Sequence, residues 1–124
     1  MRDTDRMWER WGKFDPYYGV LANKRFKTAV IEENRDEFFA TGETYVAHLL
    51  ARFAAHFGTL ERARALDHGC GVGRLTLAFA KIFERVIGLD VSPTMLSEAE
   101  ANAEREGLNV TIRYANLLKV CSTR

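Results

Sequence analysis

Three glycines in five positions, Gly69, Gly71 and Gly73, stand between two carboxylates, Asp67 and Asp90. Glycine is used where backbone must turn sharply or let a ligand come close. Here Gly69 permits the turn, Gly71 admits a ligand to the backbone, and Gly73 lets the following helix pack near the preceding strand. A loop that opens a helix also offers unpaired N–H groups to an anionic part of a ligand. The acids narrow the choice. Asp67 lies two residues before Gly69, where a pyrophosphate would meet a like charge and a cation an opposite one. The dinucleotide pattern is also incomplete, with no glycine or alanine at its last position: Arg74 and Leu75 follow Gly73. Asp90 closes the next apolar run, where a carboxylate accepts hydrogen bonds from ribose hydroxyls. These residues describe an adenosine-type nucleoside with a cationic, amino-acid-like arm and no diphosphate.

The elements that must position them are legible in outline. "RALDHG" reads as a short buried strand entering a tight turn, and "RVIGLD" as a second strand. Between them "GRLTLAFAKIF" reads as a helix with Leu75, Ala78, Phe79 and Ile82 on one face. "SPTMLSEAEANAEREG" is a marked helix: Ser92 suits the N-cap, Pro93 the first helical position and Gly107 the stop. Its stripe is Met95 or Leu96, Ala99 and Ala103. "VTIRYA" alternates as a third strand should. Strands alternating with helices imply a parallel sheet with right-handed crossovers. Upstream, Tyr45, Val46, Leu49, Leu50, Phe53, Ala54 and Phe57 have the spacing of a buried helical face. Thr41 is placed to cap that helix and Gly58 to end it. Residues 1–33 are rich in aromatics, including Trp8, Trp11, Tyr17, Tyr18 and Phe26. Pro16 marks a turn there, with short helices possible on its flanks.

The totals fit one small domain. The chain has 124 residues, 47% of them apolar and 28% charged, with a net charge of +1 from 18 basic and 17 acidic side chains. That balance offers no phosphate-tracking surface, so a nucleic-acid partner is disfavoured. Two cysteines, Cys70 and Cys121, lie far apart, and three scattered histidines add no ligand spacing, so no metal site is expected. The charged start "MRDTDRMWERWGK" lacks the apolar core of a secretory signal, and no run reaches membrane-span length. A cytoplasmic setting with reduced thiols is the expectation.

"LDHGCGVGRLTLAFA" followed by "VIGLDVSPTML" resembles the first two motifs of the class I S-adenosylmethionine-dependent methyltransferases. The resemblance covers about residues 38–116. It implies an α/β fold, a Rossmann-like three-layer sandwich with an N-terminal helical cap: residues 1–33 as cap and 34–124 as a partial cofactor-binding domain. It implies S-adenosyl-L-methionine as cofactor. Asp67, Gly69, Cys70, Gly71 and Gly73 would border the methionine arm, with Asp67 near its amino group directly or through water. Asp90 would bind the ribose, Val91 would lie against the adenine, and Met95 would help position it. Asn116 occupies the place where the family commonly has an acid near the adenine amine, and its carbonyl could accept the same hydrogen bond. Plainer duties stand beside these: Cys70 as a small packing residue, Met95 as helix core, Asn116 as a turn residue, Tyr17 and Tyr18 as core aromatics rather than a substrate mouth.

Only "NLLKVCSTR" follows the third strand, whereas a doubly wound sheet has a second set of strands. The sequence therefore reads as truncated after the third parallel strand, a methyltransferase reduced to its cofactor-binding half, or a non-catalytic adenosyl-binding or interaction module. A nicotinamide-dependent half-domain is disfavoured by Asp67 and the glycine spacing. No catalytic residue is assigned. The methyl acceptor is unspecified, with a small molecule favoured, and the first strand is expected to be an open edge through which copies could self-associate.

Overall fold

The computed structural model describes residues 2–115. Two helices, α1 (Asp3–Phe14) and α2 (Pro16–Val20), and a 3₁₀ turn (Lys24–Phe26) lead into a long helix, α3 (Ile31–Phe57). Then come β1 (Arg64–His68), α4 (Arg74–Ala80), β2 (Arg85–Asp90), α5 (Pro93–Glu106) and β3 (Thr111–Tyr114). The strands form one parallel sheet in the order β1-β2-β3. Leu66 faces Ile87 across the first pair, and Asp90 faces Tyr114 across the second. This is the Rossmann-like arrangement expected, carried through its third strand.

Both crossovers step the same way across the sheet, so the right-handed rule puts α4 and α5 on the same face. That face carries Val86, which is buried, and Gly88, where a Cβ would meet Thr76, Cys70 and Ile112 side chains at 3.0–3.1 Å. The opposite face has no cover among the described residues: Leu66 is 61% exposed and Ile87 40%. The expectation of a buried first strand is corrected here, because burial of a parallel strand needs helices on both faces. β1 is also an edge, paired with β2 alone among the described residues.

α5 matches its sequence signals. The Ser92 hydroxyl accepts from the Met95 amide at 3.2 Å, Pro93 sits in the first turn, and Gly107 takes the left-handed conformation at φ 65°. Met95, Leu96, Ala99 and Ala103 are buried, and so is Asn102. α4 turns a different face inward, with Thr76, Leu77 and Ala78 buried, while Leu75 and Phe79 are only half covered.

α3 departs from expectation in two ways. It begins at Ile31, so Thr41 lies inside it and its hydroxyl donates to the Phe38 carbonyl at 2.6 Å instead of capping. Its buried residues are Ile31, Phe38, Phe39, Gly42 and Val46. Tyr45, Leu49, Phe53 and Phe57 are exposed, because the second half of the helix runs past α4. The core is built from the first half. Phe38 is fully buried and meets Tyr17, Phe26 and Phe39 edge-on, with ring centroids 5.1–5.2 Å apart. Aromatic pairs favour this geometry. The same cluster includes Val72, Leu77, Met95 and Ala103, so residues of α2 and the 3₁₀ turn share one core with the glycine loop and α5.

Candidate functional site

The loop after β1 is held by backbone. Gly69, Gly71 and Gly73 have φ of 82°, 55° and 96°, a region in which L side chains are strained. The amides of Gly69 and Cys70 both donate to the Leu89 carbonyl, at 2.7 and 2.8 Å, which pins the turn to the end of β2. A Cβ at Gly71 would lie 2.7 Å from Val20 Cγ2, so α2 rests directly on the loop. A Cβ at Gly69 would meet nothing within 4 Å, so the backbone there faces open space.

The two carboxylates have different surroundings. Asp90 Oδ2 accepts from the Gly71 amide at 2.8 Å, and its Oδ1 accepts from the Val91 and Ser92 amides at 2.7 and 3.0 Å. An ionised carboxylate has about four lone-pair sites. The free capacity is therefore on Oδ2, beside the loop. Asp67 turns the other way and accepts from the buried Thr76 hydroxyl at 2.7 Å. Burial pushes its pKa above the ordinary range, and the Asp90 charge adds to the rise. Burial, with the charges of Asp90 and Asp67, pushes the Cys70 thiol up to about 12. A thiol that stays protonated is a packing group and not a nucleophile.

The loop, the ends of β2 and β3, and the N-terminal helices enclose a cavity of about 530 Å³. Gly69, Gly71, Asp90, Val91 and Met95 line it together. Asp67, Cys70 and Gly73 stand behind that wall: Asp67 on Thr76, Cys70 buried, and Gly73 as the left-handed N-cap of α4. Asn116 lies outside the described residues. Sequence reasoning missed the rest of the lining, which comprises Arg2, Thr4, Asp5 and Trp8 of the N-terminal segment, Gly19 and Val20 of α2, and His68 and Ala115 at strand ends. The available signal was the aromatic, charged character of residues 1–33. Among the described residues no three His, Cys, Asp or Glu side chains converge as metal ligands. Nor is any helix there long and apolar enough to cross a membrane.

The N-terminal helices are bonded to the site. Glu9 Oε1 accepts from the Thr94 amide at 3.1 Å and the Ser92 hydroxyl at 3.3 Å, at the start of α5. The Tyr17 hydroxyl lies 3.0 Å from both Glu98 Oε2 and Asn102 Oδ1. Asn102 Nδ2 in turn donates to the Val72 carbonyl of the loop at 3.0 Å. Tyr17 is core, with its pKa raised chiefly by burial, while Tyr18 packs on Trp11 at 5.8 Å.

Comparison with known proteins agrees with this geometry. Residues 65–123 match the family model described as a methyltransferase domain. The chain is 28% identical over 103 residues to a 23S rRNA (uracil(1939)-C(5))-methyltransferase of Edwardsiella ictaluri, covering 82% of this chain and 22% of that one. It is 41% identical over 61 residues to a probable S-adenosylmethionine-dependent methyltransferase of Saccharomyces cerevisiae, covering 49% of this chain and 20% of that one. Among solved structures, it resembles a SAM-bound amino pentose methyltransferase of Micromonospora echinaspora with a TM-score of 0.50 and 29% identity. That match covers 60% of this chain and 29% of the other. The chain thus spans about a fifth of the length of these curated relatives.

Proposed function

We propose, from the match of residues 65–123 to a methyltransferase domain, that the chain supplies the cofactor-binding half of a methyl-transfer site of the class I S-adenosylmethionine-dependent kind. The observation that carries this is the cavity of about 530 Å³ that Gly69, Gly71 and Asp90 line together. The volume suits a nucleoside-sized ligand. When bound, S-adenosyl-L-methionine supplies a methyl group activated by its sulfonium. The residues here bind and orient. The free capacity of Asp90 Oδ2 takes a ribose hydroxyl, and Val91 and Met95 bound the base. The open backbone at Gly69 receives the amino-acid arm, and Asp67, set behind the loop, favours its cationic groups by charge and not by contact. The acceptor in this reading is a small molecule, supported by a net charge of +1. The compartment is the cytoplasm, supported by the free thiol of Cys70.

Titration calorimetry with S-adenosylmethionine, S-adenosylhomocysteine and NAD tests the reading. The adenosyl ligands are expected to bind and NAD to bind more weakly. NAD binding tighter than both would overturn it.

The bare sheet face at Leu66 and Ile87 favours a second reading for the 124-residue chain alone, as an adenosyl-binding module that does not turn over. Transfer of labelled methyl groups to a panel of acceptors separates the two.

A further inference from the structure

The cofactor reading leaves one wall of the cavity without a duty. Helix α1 crosses the start of α5 closely: a Cβ at Gly12 would sit 2.7 Å from Ser92 Oγ and 3.2 Å from Met95 Cγ. Glu9 fixes the crossing by accepting from Ser92 and Thr94. Those residues follow Asp90 and Val91 directly, so α1 is anchored on the turn that carries the ribose acceptor. Its other flank is joined to α2 by the Trp11–Tyr18 ring pair, and α2 is seated on Gly71 through Val20. Trp8 precedes Glu9 by one residue, about 100° round the helix. It borders the cavity that Gly71, Asp90 and Val91 also line, and 37% of its surface is exposed. A half-exposed indole beside a nucleoside-sized cavity, with its neighbour Glu9 bonded to the start of α5, is a stacking surface held in place.

We propose that Trp8 is a cofactor-contacting residue whose indole packs on the adenosyl moiety, and that Glu9 is the positioning residue that holds it there. The proposal rests on the adenosyl reading of the site and adds to it: the N-terminal helix is part of the binding surface. Stacking of a base on an aromatic side chain sets the expected size, roughly tenfold or more in affinity when the ring is removed. The arrangement is also reciprocal. A ligand that contacts Trp8 must steady α1, and loosening α1 must weaken the ligand by the same factor.

The chain has two tryptophans, Trp8 and Trp11, so Trp11→Phe leaves Trp8 as the only indole reporter. Titration of that variant with S-adenosylhomocysteine is expected to change Trp8 emission saturably, with a midpoint matching the dissociation constant from calorimetry. Trp8→Ala should weaken binding roughly tenfold or more, and Trp8→Phe should restore most of it. In the Trp11→Phe background, Glu9→Ala should weaken binding and shrink the emission change. Glu9→Gln keeps a carbonyl acceptor for both donors and should recover both. If Trp8→Ala proves unfolded by circular dichroism, the emission titration and the Trp8→Phe variant still decide. Flat Trp8 emission while calorimetry records binding, or unchanged affinity in folded Trp8→Ala, overturns the proposal and leaves the cofactor reading intact. Absence of calorimetric binding of either adenosyl ligand to the parent chain overturns both.

Discussion

Replacing Asp90 by Asn tests whether this carboxylate builds the site as well as serving it. A strand-end acid read from sequence has only a ligand to hold, and its loss should spare the fold. The structure gives Asp90 three backbone donors divided between two oxygens, Gly71 on Oδ2 and Val91 with Ser92 on Oδ1. An asparagine keeps one carbonyl oxygen. If that oxygen serves Val91 and Ser92, the amide nitrogen faces the Gly71 N–H, donor against donor. One charge-assisted bond, worth about 1.5–3 kcal/mol, is lost and the other two become neutral. The group is only part-buried, so water recovers some of this. The net cost is about 2–3 kcal/mol, or roughly 6–12 °C in midpoint for a chain of this size. Urea unfolding followed by circular dichroism reads it as a lower midpoint at unchanged slope. Calorimetry on the folded fraction should show a further loss of about 1–3 kcal/mol in adenosyl affinity. A variant as stable as the parent would refute the structural duty, and unchanged affinity would refute the ribose contact.

Asp67→Asn should stabilise the ligand-free chain near neutral pH. The raised pKa of Asp67 means that its stability contribution is full below the unfolded value and is lost as pH rises through the folded one. The gap between variant and parent should therefore close on acidification, and a gap that grows toward low pH would contradict the assignment. Gly42→Ala should cost about 1–3 kcal/mol by overpacking, because its Cβ would lie 2.3 Å from the Arg74 carbonyl oxygen. A neutral result in urea unfolding would mean that α3 and α4 can separate freely. The chain alone is expected to self-associate with rising concentration in light scattering and to show no methyl-transfer turnover, since among the described residues β1 pairs with β2 alone and Leu66, Ile87, Phe53 and Phe57 are exposed. A well-folded monomer that turns over would overturn that expectation.

What the sequence made legible is what short-range physics decides. Ser92, Pro93 and Gly107 bound α5 because capping and φ preferences act within a few residues, and all three sit where those preferences put them. The parallel order followed from alternation alone. The misread features have tertiary causes. Thr41-Gly42 looks like a helix start, but Gly42 is glycine because the Arg74 backbone crosses there. The apolar row Tyr45, Leu49, Phe53 and Phe57 has the period of a buried face, yet period reports which side of a helix is apolar and not whether anything covers it. Of the site, the loop and Asp90 were visible as a motif. Trp8 and Glu9 were not, since they lie more than 60 residues from Gly71 in sequence and nothing local aims them at it.

Asn102 shows how far the site is a product of the whole fold. It is a polar residue of α5, three positions after Ala99 and beside Ala103 on the buried stripe, and it is fully buried. Its amide holds the Val72 carbonyl from behind the loop, its oxygen takes Arg105 at 2.6 Å, and the Tyr17 hydroxyl of α2 lies against it. Leu89 holds the same loop through Gly69 and Cys70, and Asp90 holds it through Gly71. The cradle is therefore tied to β2, α5 and α2, and its ordering cost is met by folding before a ligand arrives. Helix α1 joins the same frame at the start of α5, where Glu9 accepts from Ser92 and Thr94.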